Sequence, residues 1–315
     1  MPTSMRRSLH TSGASVALAR APRRSPIEVA DATTPAEPPL AAPRRSNMVV
    51  RIATAAVLIA VVLAVLILGS VWVYAAIAVI LGAALIEYWN LTRAMAAPAP
   101  LWLLFPLSYA LLLRERLPSW ADVGFLLAAA TVLGLGTLVF VRDWRASLTR
   151  WALAVGGSLY LAFTLSFYLS LYFLHRPDPN HLGFGYVIAV FGAIWVGDTA
   201  AMVAGLRFGR HPFFSRISPK KTVEGAVAEL LASTVFFAIV GLFLNISFPH
   251  NLIIGLLIGA FAEVGDLVES QLKRTAGVKD ASQLIPGHGG VLDRIDSLLL
   301  VGVVVYYYVT FLHLA

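Results

Sequence analysis

The chain has 315 residues, of which 58% are hydrophobic and 13% are charged. A soluble domain cannot bury that much apolar surface, so the composition favours an integral membrane protein and argues against a soluble enzyme or binding module. The net charge of +7 does not indicate nucleic-acid binding, because the basic residues lie in the N-terminal tail and in short loops between apolar runs.

Residues 1–47 form a polar segment rich in Pro, Ala, Ser and Arg, without an apolar period. Such a composition cannot build a packed core, so we expect a disordered tail. Five arginines precede the first acid, which is a feature of organelle transit peptides. The acids Glu28, Asp31 and Glu37 favour a cytoplasmic tail instead.

Nine apolar runs of near-spanning length follow this tail. Because backbone groups in hydrocarbon must be satisfied within their own segment, the runs predict helices and an all-α, polytopic membrane domain over residues 48–315. The third run is the weakest, since it is short and contains Pro106. The runs cover residues 48–69, 71–91, 100–113, 121–141, 151–174, 183–206, 223–244, 251–269 and 291–314.

The distribution of basic residues predicts the orientation of these runs. If the N-terminal tail lies inside, nearly all loop cations also lie inside, and only Arg114, Arg116 and Arg176 lie outside. Cytoplasmic loops of membrane proteins carry this excess of Lys and Arg. We therefore expect nine transmembrane helices, with the N-terminus in the cytoplasm and the C-terminus outside.

Small residues within the runs predict close packing between helices. Gly255, Gly259 and Gly265 lie in the eighth run, and the stretch GDTAAMVAG lies in the sixth. The absence of a clear internal repeat argues against a transporter built from inverted repeats.

A carboxylate inside an apolar run or at its end is costly and therefore informative, and four aspartates are selected on this ground. Asp198, Asp266, Asp293 and Asp296 all fall toward the predicted inner face. A single such acid is equally well explained as a helix cap or as the partner of a loop lysine. Four acids that converge on one membrane face favour a functional site.

Asp266, Ser270 and Lys273 follow one another at spacings of four and three residues, which places them on one stripe of the eighth helix. A carboxylate, a hydroxyl and an ammonium in a row suit a site that holds a divalent cation and phosphate oxygens. The loop before the seventh run supplies Lys220 and Lys221, and Thr222 is placed to cap the helix that follows. Taken alone, these two lysines are better explained by topology.

The stretch PGHGG, residues 286–290, is a glycine-rich bend that would let backbone N–H groups approach phosphates. His288 within it could ligate, exchange protons or serve a structural role. The sequence contains no P-loop, no HExxH and no GxSxG motif, and it has no cysteine. Carboxylates for Mg²⁺ and many cations for a polyanion together indicate phosphoryl or nucleotidyl transfer at the membrane surface.

The stretch SQLKRTAGVKDASQLIPGHGGVLDRIDS closely resembles the signature of the phosphatidate cytidylyltransferases, S-x-x-K-R-x4-K-D followed by H-G-G-x-x-D-R-x-D. The blocks GDTAA, FGRH, ISPKKTVEG and GDLVES also resemble that family, in its order. The resemblance is strong over the part that carries the signature, residues 195–297, and rests only on hydropathy before it. The signature positions are Ser270, Lys273, Arg274, Lys279, Asp280, His288, Gly289, Gly290, Asp293, Arg294 and Asp296.

The resemblance implies an enzyme that makes CDP-diacylglycerol and pyrophosphate from CTP and phosphatidic acid for phospholipid biosynthesis, with Mg²⁺ and a second, monovalent cation such as K⁺. It implies Asp266 and Asp293 as metal ligands, which with Lys273, Arg274 and Asp296 would form the catalytic set. The implied location is a bacterial inner membrane with the site facing the cytoplasm, among membrane lipids and with a homodimer left open. The remaining implied substrate-binding residues are Asp198, Ser218, Lys220, Lys221, Thr222, Ser270, Lys279, Asp280, His288, Gly289, Gly290 and Arg294.

Two other functions are weighed against this one. A CTP-dependent lipid kinase of the dolichol-kinase type would release CDP instead of pyrophosphate, and the complete signature argues against it. A cation-coupled transporter would use Asp198, Glu263 and Asp266 near the middle of the membrane, whereas the charges cluster at one face. The role of Glu263 is not assigned from the sequence.

Overall fold

The computed structural model describes residues 48–174, 182–285 and 289–312, which belong to one compact unit. The predictions for the 1–47 tail and for His288 lie outside the described residues.

The described chain is built from ten α-helices and two short helical variants. A 3₁₀ turn, Arg114–Arg116, follows α3, and a π-helical segment, Ser158–Phe163, joins α5 to α6. The α-helices are α1 Met48–Leu68, α2 Ser70–Ala94, α3 Leu101–Leu112, α4 Val123–Leu138, α5 Trp144–Gly157, α6 Thr164–Tyr172, α7 Leu182–Phe208, α8 Val223–Phe243, α9 His250–Thr275 and α10 Leu292–Phe311.

The all-α prediction is confirmed for the described residues, where every apolar run is helical. Three helices are apolar but shorter, and α3, with 12 residues, extends only about 18 Å against a hydrocarbon core of about 30 Å. The number nine therefore stays a prediction. Six helices are long and apolar enough to cross a membrane: Ser70–Ala94, Trp144–Tyr172, Gly183–Phe208, Val223–Phe243, His250–Thr275 and Leu292–Phe311.

The continuous helical segment Trp144–Tyr172, formed by α5, the π-helical segment and α6, begins earlier than the apolar run that predicted it. The run starts at residue 151, whereas the helix starts at Trp144, where the side chain of Asp143 accepts a hydrogen bond from the N–H of Ala146 at 3.1 Å. Residues 144–150 are largely polar, so hydropathy does not mark them, although an exposed polar turn can be helical when it is capped.

Helices α7 to α10 pack against one another as an antiparallel group. The prediction that glycines of the eighth run allow close packing is confirmed for α9. A Cβ on Gly255 would lie 2.7 Å from the Cα of Thr234 in α8, and one on Gly265 would meet the carbonyl oxygen of Asp296 in α10. Because the helices alternate in direction, the C-terminal ends of α7 and α9 and the N-terminal ends of α8 and α10 lie together, and the polar residues lie at that end.

Candidate active site

The stripe predicted on α9 is present in the structure. The Ser270 hydroxyl donates to the Oδ1 of Asp266 at 3.2 Å, and Lys273 follows on the same face with 9% of its surface exposed. Helix α9 continues to Thr275, six residues past the apolar run, and it is this extension that carries Ser270 and Lys273.

Lys273 joins α9 to α10 through a buried ion-pair network. Its Nζ lies 2.5 Å from the Oδ1 of Asp293 and 2.5 Å from the Oε2 of Glu269, one turn earlier in α9. A buried ammonium without partners would be strongly unfavourable, so these two carboxylates keep Lys273 charged inside the protein.

Asp293 also organises the chain that precedes α10. Its Oδ2 accepts hydrogen bonds from the N–H of Gly290 at 2.8 Å and from the N–H of Ala281 at 3.2 Å. Gly289 adopts φ 82, in the left-handed region that favours glycine, and a Cβ there would lie 2.8 Å from the same oxygen of Asp293. Glycine at position 289 is thus required by the close approach of the Asp293 carboxylate to the backbone.

Lys221 brings the loop between α7 and α8 to the acids of α9. Its Nζ lies 2.6 Å from the Oδ2 of Asp266 and 2.8 Å from the Oε1 of Glu263. Burial lowers the pKa of Lys221, but the carboxylates of Asp266 and Glu263 outweigh it and the pKa is raised. These two ion pairs join the loop to α9 and give Glu263 a partner.

The loop that carries Lys221 is folded back on itself before α8. The N–H of Phe213 donates to the carbonyl of Lys221 at 2.9 Å, and the N–H of Lys221 donates to the carbonyl of Ser218 at 3.2 Å. Thr222 caps α8 as predicted, because its side chain accepts from the N–H of Gly225 at 3.1 Å. These contacts direct Lys221 inward, whereas Lys220 is exposed.

Three carboxylates form a cluster beside the two lysines. One oxygen from each of Asp266, Glu269 and Asp296 lies within 4.8 Å of the others. Glu269 is fully buried, and its Oε1 has no hydrogen-bond partner in the described part of the chain. A buried carboxylate oxygen without a donor is costly, and a cation would satisfy it.

The remaining predicted residues line the edge of this cluster or lie beyond it. Arg274 is exposed, and its guanidinium donates to the carbonyls of Ile217 at 3.2 Å and Val278 at 3.3 Å. Asp198 is exposed on α7 and interacts electrostatically with Asp266, Lys221 and Arg294. Three further charged residues of the signature are exposed: Lys279, Asp280 and Arg294.

Two acids that sequence reasoning did not select also belong to this end of the bundle. Glu269 lies three residues after Asp266, so the helical spacing that selected Ser270 would also have selected it. Glu87 lies in α2, far outside the signature, with 3% of its surface exposed. As an acid inside the second apolar run, it satisfies the same rule that drew attention to Asp198.

Comparison with known proteins agrees with the signature. A phosphatidate cytidylyltransferase of Synechocystis is 33% identical over 288 residues, covering 83% of this chain and 96% of that protein. One of Staphylococcus saprophyticus is 39% identical over 136 residues, covering 42% of this chain and 52% of that protein, and one of Staphylococcus haemolyticus is 35% identical over the same shares. The match to these two therefore spans about half of their length.

The family model extends the similarity well beyond the signature. The model described as the Cytidylyltransferase family matches residues 49–312, from the beginning of α1 to the end of α10. Because this match covers nearly the whole helical part of the protein, the chain belongs to the cytidylyltransferase family.

Proposed function

We propose that the chain transfers the cytidylyl group of CTP to phosphatidic acid, forming CDP-diacylglycerol and releasing pyrophosphate. The observation that carries the proposal is the convergence of Lys221 and Lys273 on the acids of α9 and α10, at the end of the bundle that bears the signature. The acyl chains of the substrate would stay in the lipid beside this end.

The chemistry needs little more than charge neutralisation and alignment. An oxygen of the lipid phosphate bonds to the α-phosphorus of CTP, and the bond from that phosphorus to the β-phosphate oxygen breaks with its electrons, so pyrophosphate leaves. A phosphomonoester has its second pKa near ~6 and is mostly dianionic at neutral pH, so no strong general base is required. The obstacle is the repulsion between two polyanions, which Lys and Arg side chains reduce.

The carboxylate cluster fits a divalent cation. Asp266, Glu269 and Asp296 each bring one carboxylate oxygen within 4.8 Å of the other two, and carboxylate oxygens are ligands that Mg²⁺ prefers. We propose that Asp266 binds Mg²⁺ with Glu269 and Asp296 beside it. When bound there, Mg²⁺ would neutralise phosphate charge and polarise the α-phosphorus.

Asp293 remains a proposed ligand on the strength of the family resemblance. Its Oδ2 accepts from two backbone N–H groups and its Oδ1 only from Lys273, so Oδ1 retains a lone pair for a cation. A second, monovalent cation such as K⁺ and a homodimer also remain proposals. Exposed Arg274, Lys279 and Arg294 would attract the two anionic substrates.

The first prediction separates cytidylyl transfer from CTP-dependent phosphorylation. When purified protein is incubated in detergent with phosphatidic acid, Mg²⁺ and CTP labelled at the α- or γ-phosphate, the α-label should enter lipid and the γ-label should appear in pyrophosphate. Entry of the γ-label into lipid would instead identify a lipid kinase. Entry of neither label across a range of metal ions would contradict the enzymatic function.

We further propose that nine helices cross the membrane, with the N-terminus and the active site on the cytoplasmic side of a bacterial inner membrane. The support is the asymmetry of loop cations and the helical state of every apolar run. The exposed positions Arg216, before α8, and Ser119, between α3 and α4, would then lie on opposite sides.

Cysteine labelling tests this arrangement, and the chain offers a clean background because it contains no cysteine. An impermeant thiol reagent added to intact cells should label Ser119→Cys but not Arg216→Cys, and both should react after permeabilisation. Labelling of Arg216→Cys from outside would reject the cytoplasmic site.

A further inference from the structure

Glu87 contacts residues at the start of α10 that lie about two hundred positions away in the sequence. It lies near the C-terminal end of α2, and its carboxylate accepts hydrogen bonds from the N–H of Val291 at 3.0 Å and the N–H of Leu292 at 2.7 Å. A third hydrogen bond comes from the Ser282 hydroxyl at 2.5 Å. The carboxylate thus binds near both ends of the segment that separates the Lys-Asp pair of the signature, residues 279–280, from α10.

These contacts supply what the start of α10 lacks. The first N–H groups of a helix have no partner within the helix, and Val291 at the N-cap has no side chain that could accept from them. The Glu87 carboxylate accepts from two of these N–H groups and lies at the positive end of the helix dipole. Helix α2 therefore caps α10 from about two hundred positions away in the sequence.

The fit between Glu87 and the chain before α10 is close. A Cβ on Gly290 would lie 2.6 Å from the Oε2 of Glu87 and 2.8 Å from its Oε1 and Cδ. Gly290, the last glycine of the PGHGG bend, is thus the residue that allows the carboxylate to reach the helix start. Any side chain at position 290 would displace either Glu87 or the N-terminus of α10.

The position of α10 decides where two site carboxylates lie. Asp293 and Asp296 are in its first two turns, where they face Lys273, Asp266 and Glu269 of α9. A shift of about 1 Å at a reacting centre can cost a factor of about 100 in rate. A displacement of the N-terminus of α10 is therefore expected to lower turnover and not only stability.

We propose that Glu87 is a positioning residue for the cytidylyl-transfer site, which holds the N-terminus of α10, and with it Asp293 and Asp296, in register with α9. The proposal deepens the function proposed above and rests on it. Glu87 acts through the backbone of Val291 and Leu292, and it does not need to contact either substrate.

The direct test is Glu87→Gln, which keeps the shape but turns an amide N–H₂ toward the donors of the helix start. We expect kcat to fall by about 10- to 100-fold with the KM for CTP and for lipid within about threefold of wild type. Glu115→Gln, an acid at the opposite end of the bundle that pairs with Arg114, is the matched control and should keep wild-type kcat. A kcat for Glu87→Gln within twofold of wild type would overturn the proposal.

A double-mutant cycle separates positioning from general destabilisation. Gly290→Ala should lower kcat strongly in the wild-type background, but by less than about threefold in Glu87→Ala, because the shorter side chain leaves room for the new methyl group. Effects that simply multiply would show that the two residues are not coupled and would contradict the proposal.

Hydrogen exchange tests the contact without relying on activity. Amide exchange in a peptide covering residues 282–292 should be faster in Glu87→Gln than in wild type, with residues 253–262 of α9 unchanged. Unchanged exchange at 282–292 would overturn the proposed role of Glu87. Absence of cytidylyl transfer in the wild type would instead count against the proposed function, while the exchange result would still report on the contact.

Discussion

Lys273→Ala should lower both the stability and the turnover of the protein. The substitution removes the ammonium shared by Glu269 and Asp293 and leaves two buried carboxylates without their cation, a change that costs about 3–5 kcal/mol when one partner of a buried pair is removed. From the sequence alone, we expect Lys273→Ala to weaken nucleotide or lipid binding more than metal dependence. The contacts of Lys273 add a structural effect, so thermal stability and activity per folded molecule must be measured on one preparation.

A second substitution separates the two effects. Adding Glu269→Gln to Lys273→Ala should recover much of the lost thermal stability, because one uncompensated charge is removed and Asp293 keeps its two backbone donors. Turnover should stay at least ~100-fold below wild type, about 2.7 kcal/mol, since the cation that faces the phosphates is still absent. Arg142→Ala, which removes an exposed cation from another loop, should change neither quantity. Recovery of turnover together with stability would show that Lys273 is only structural.

The helical architecture could be predicted because hydropathy reports the same property that a membrane selects. Each apolar run became a helix in the described part of the chain. The polar first turns of α5 and the extension of α9 to Thr275 were not marked, because hydropathy measures transfer into lipid and not the persistence of backbone hydrogen bonds. Helix α3 shows the converse limit, since its apolar run predicts a helix but not that the helix, with 12 residues, is shorter than the hydrocarbon core is thick.

Much of the site could be predicted from local spacing. The stripe from Asp266 to Lys273 and the cap at Thr222 depend only on helical periodicity and on the residue types involved. The pairing of each lysine with particular carboxylates could not be predicted, because it depends on how far each helix is rotated about its axis. Glu87 could have been selected as an acid inside an apolar run, but its partners could not be predicted, because they lie about two hundred residues away in the sequence.

Asp266→Asn should abolish most turnover while leaving the fold intact. The amide keeps the shape and can still accept from the Ser270 hydroxyl, but it loses the charge that would bind Mg²⁺ together with Glu269 and Asp296. We expect turnover to fall by at least ~100-fold, about 2.7 kcal/mol, and the Mg²⁺ concentration for half-maximal activity to rise. Thermal stability should change little, because Lys221 retains Glu263 as a partner.

Asp293→Asn and Asp122→Asn complete the test of Asp266. Asp293→Asn should lower turnover and stability together. It weakens both the ion pair with Lys273 and the hydrogen bond that the side chain accepts from the N–H of Gly290. Asp122 caps α4 through the N–H of Phe125 at 2.8 Å, and Asn caps a helix about as well as Asp, so Asp122→Asn should behave as wild type. If the Asp266 carboxylate serves only as an ion-pair partner of Lys221, Asp266→Asn should instead lose thermal stability while its activity per folded molecule and its Mg²⁺ requirement stay near wild type. That pattern would remove Asp266 from the metal site, and the cluster on α9 and α10 would then be a structural network of acids around two lysines.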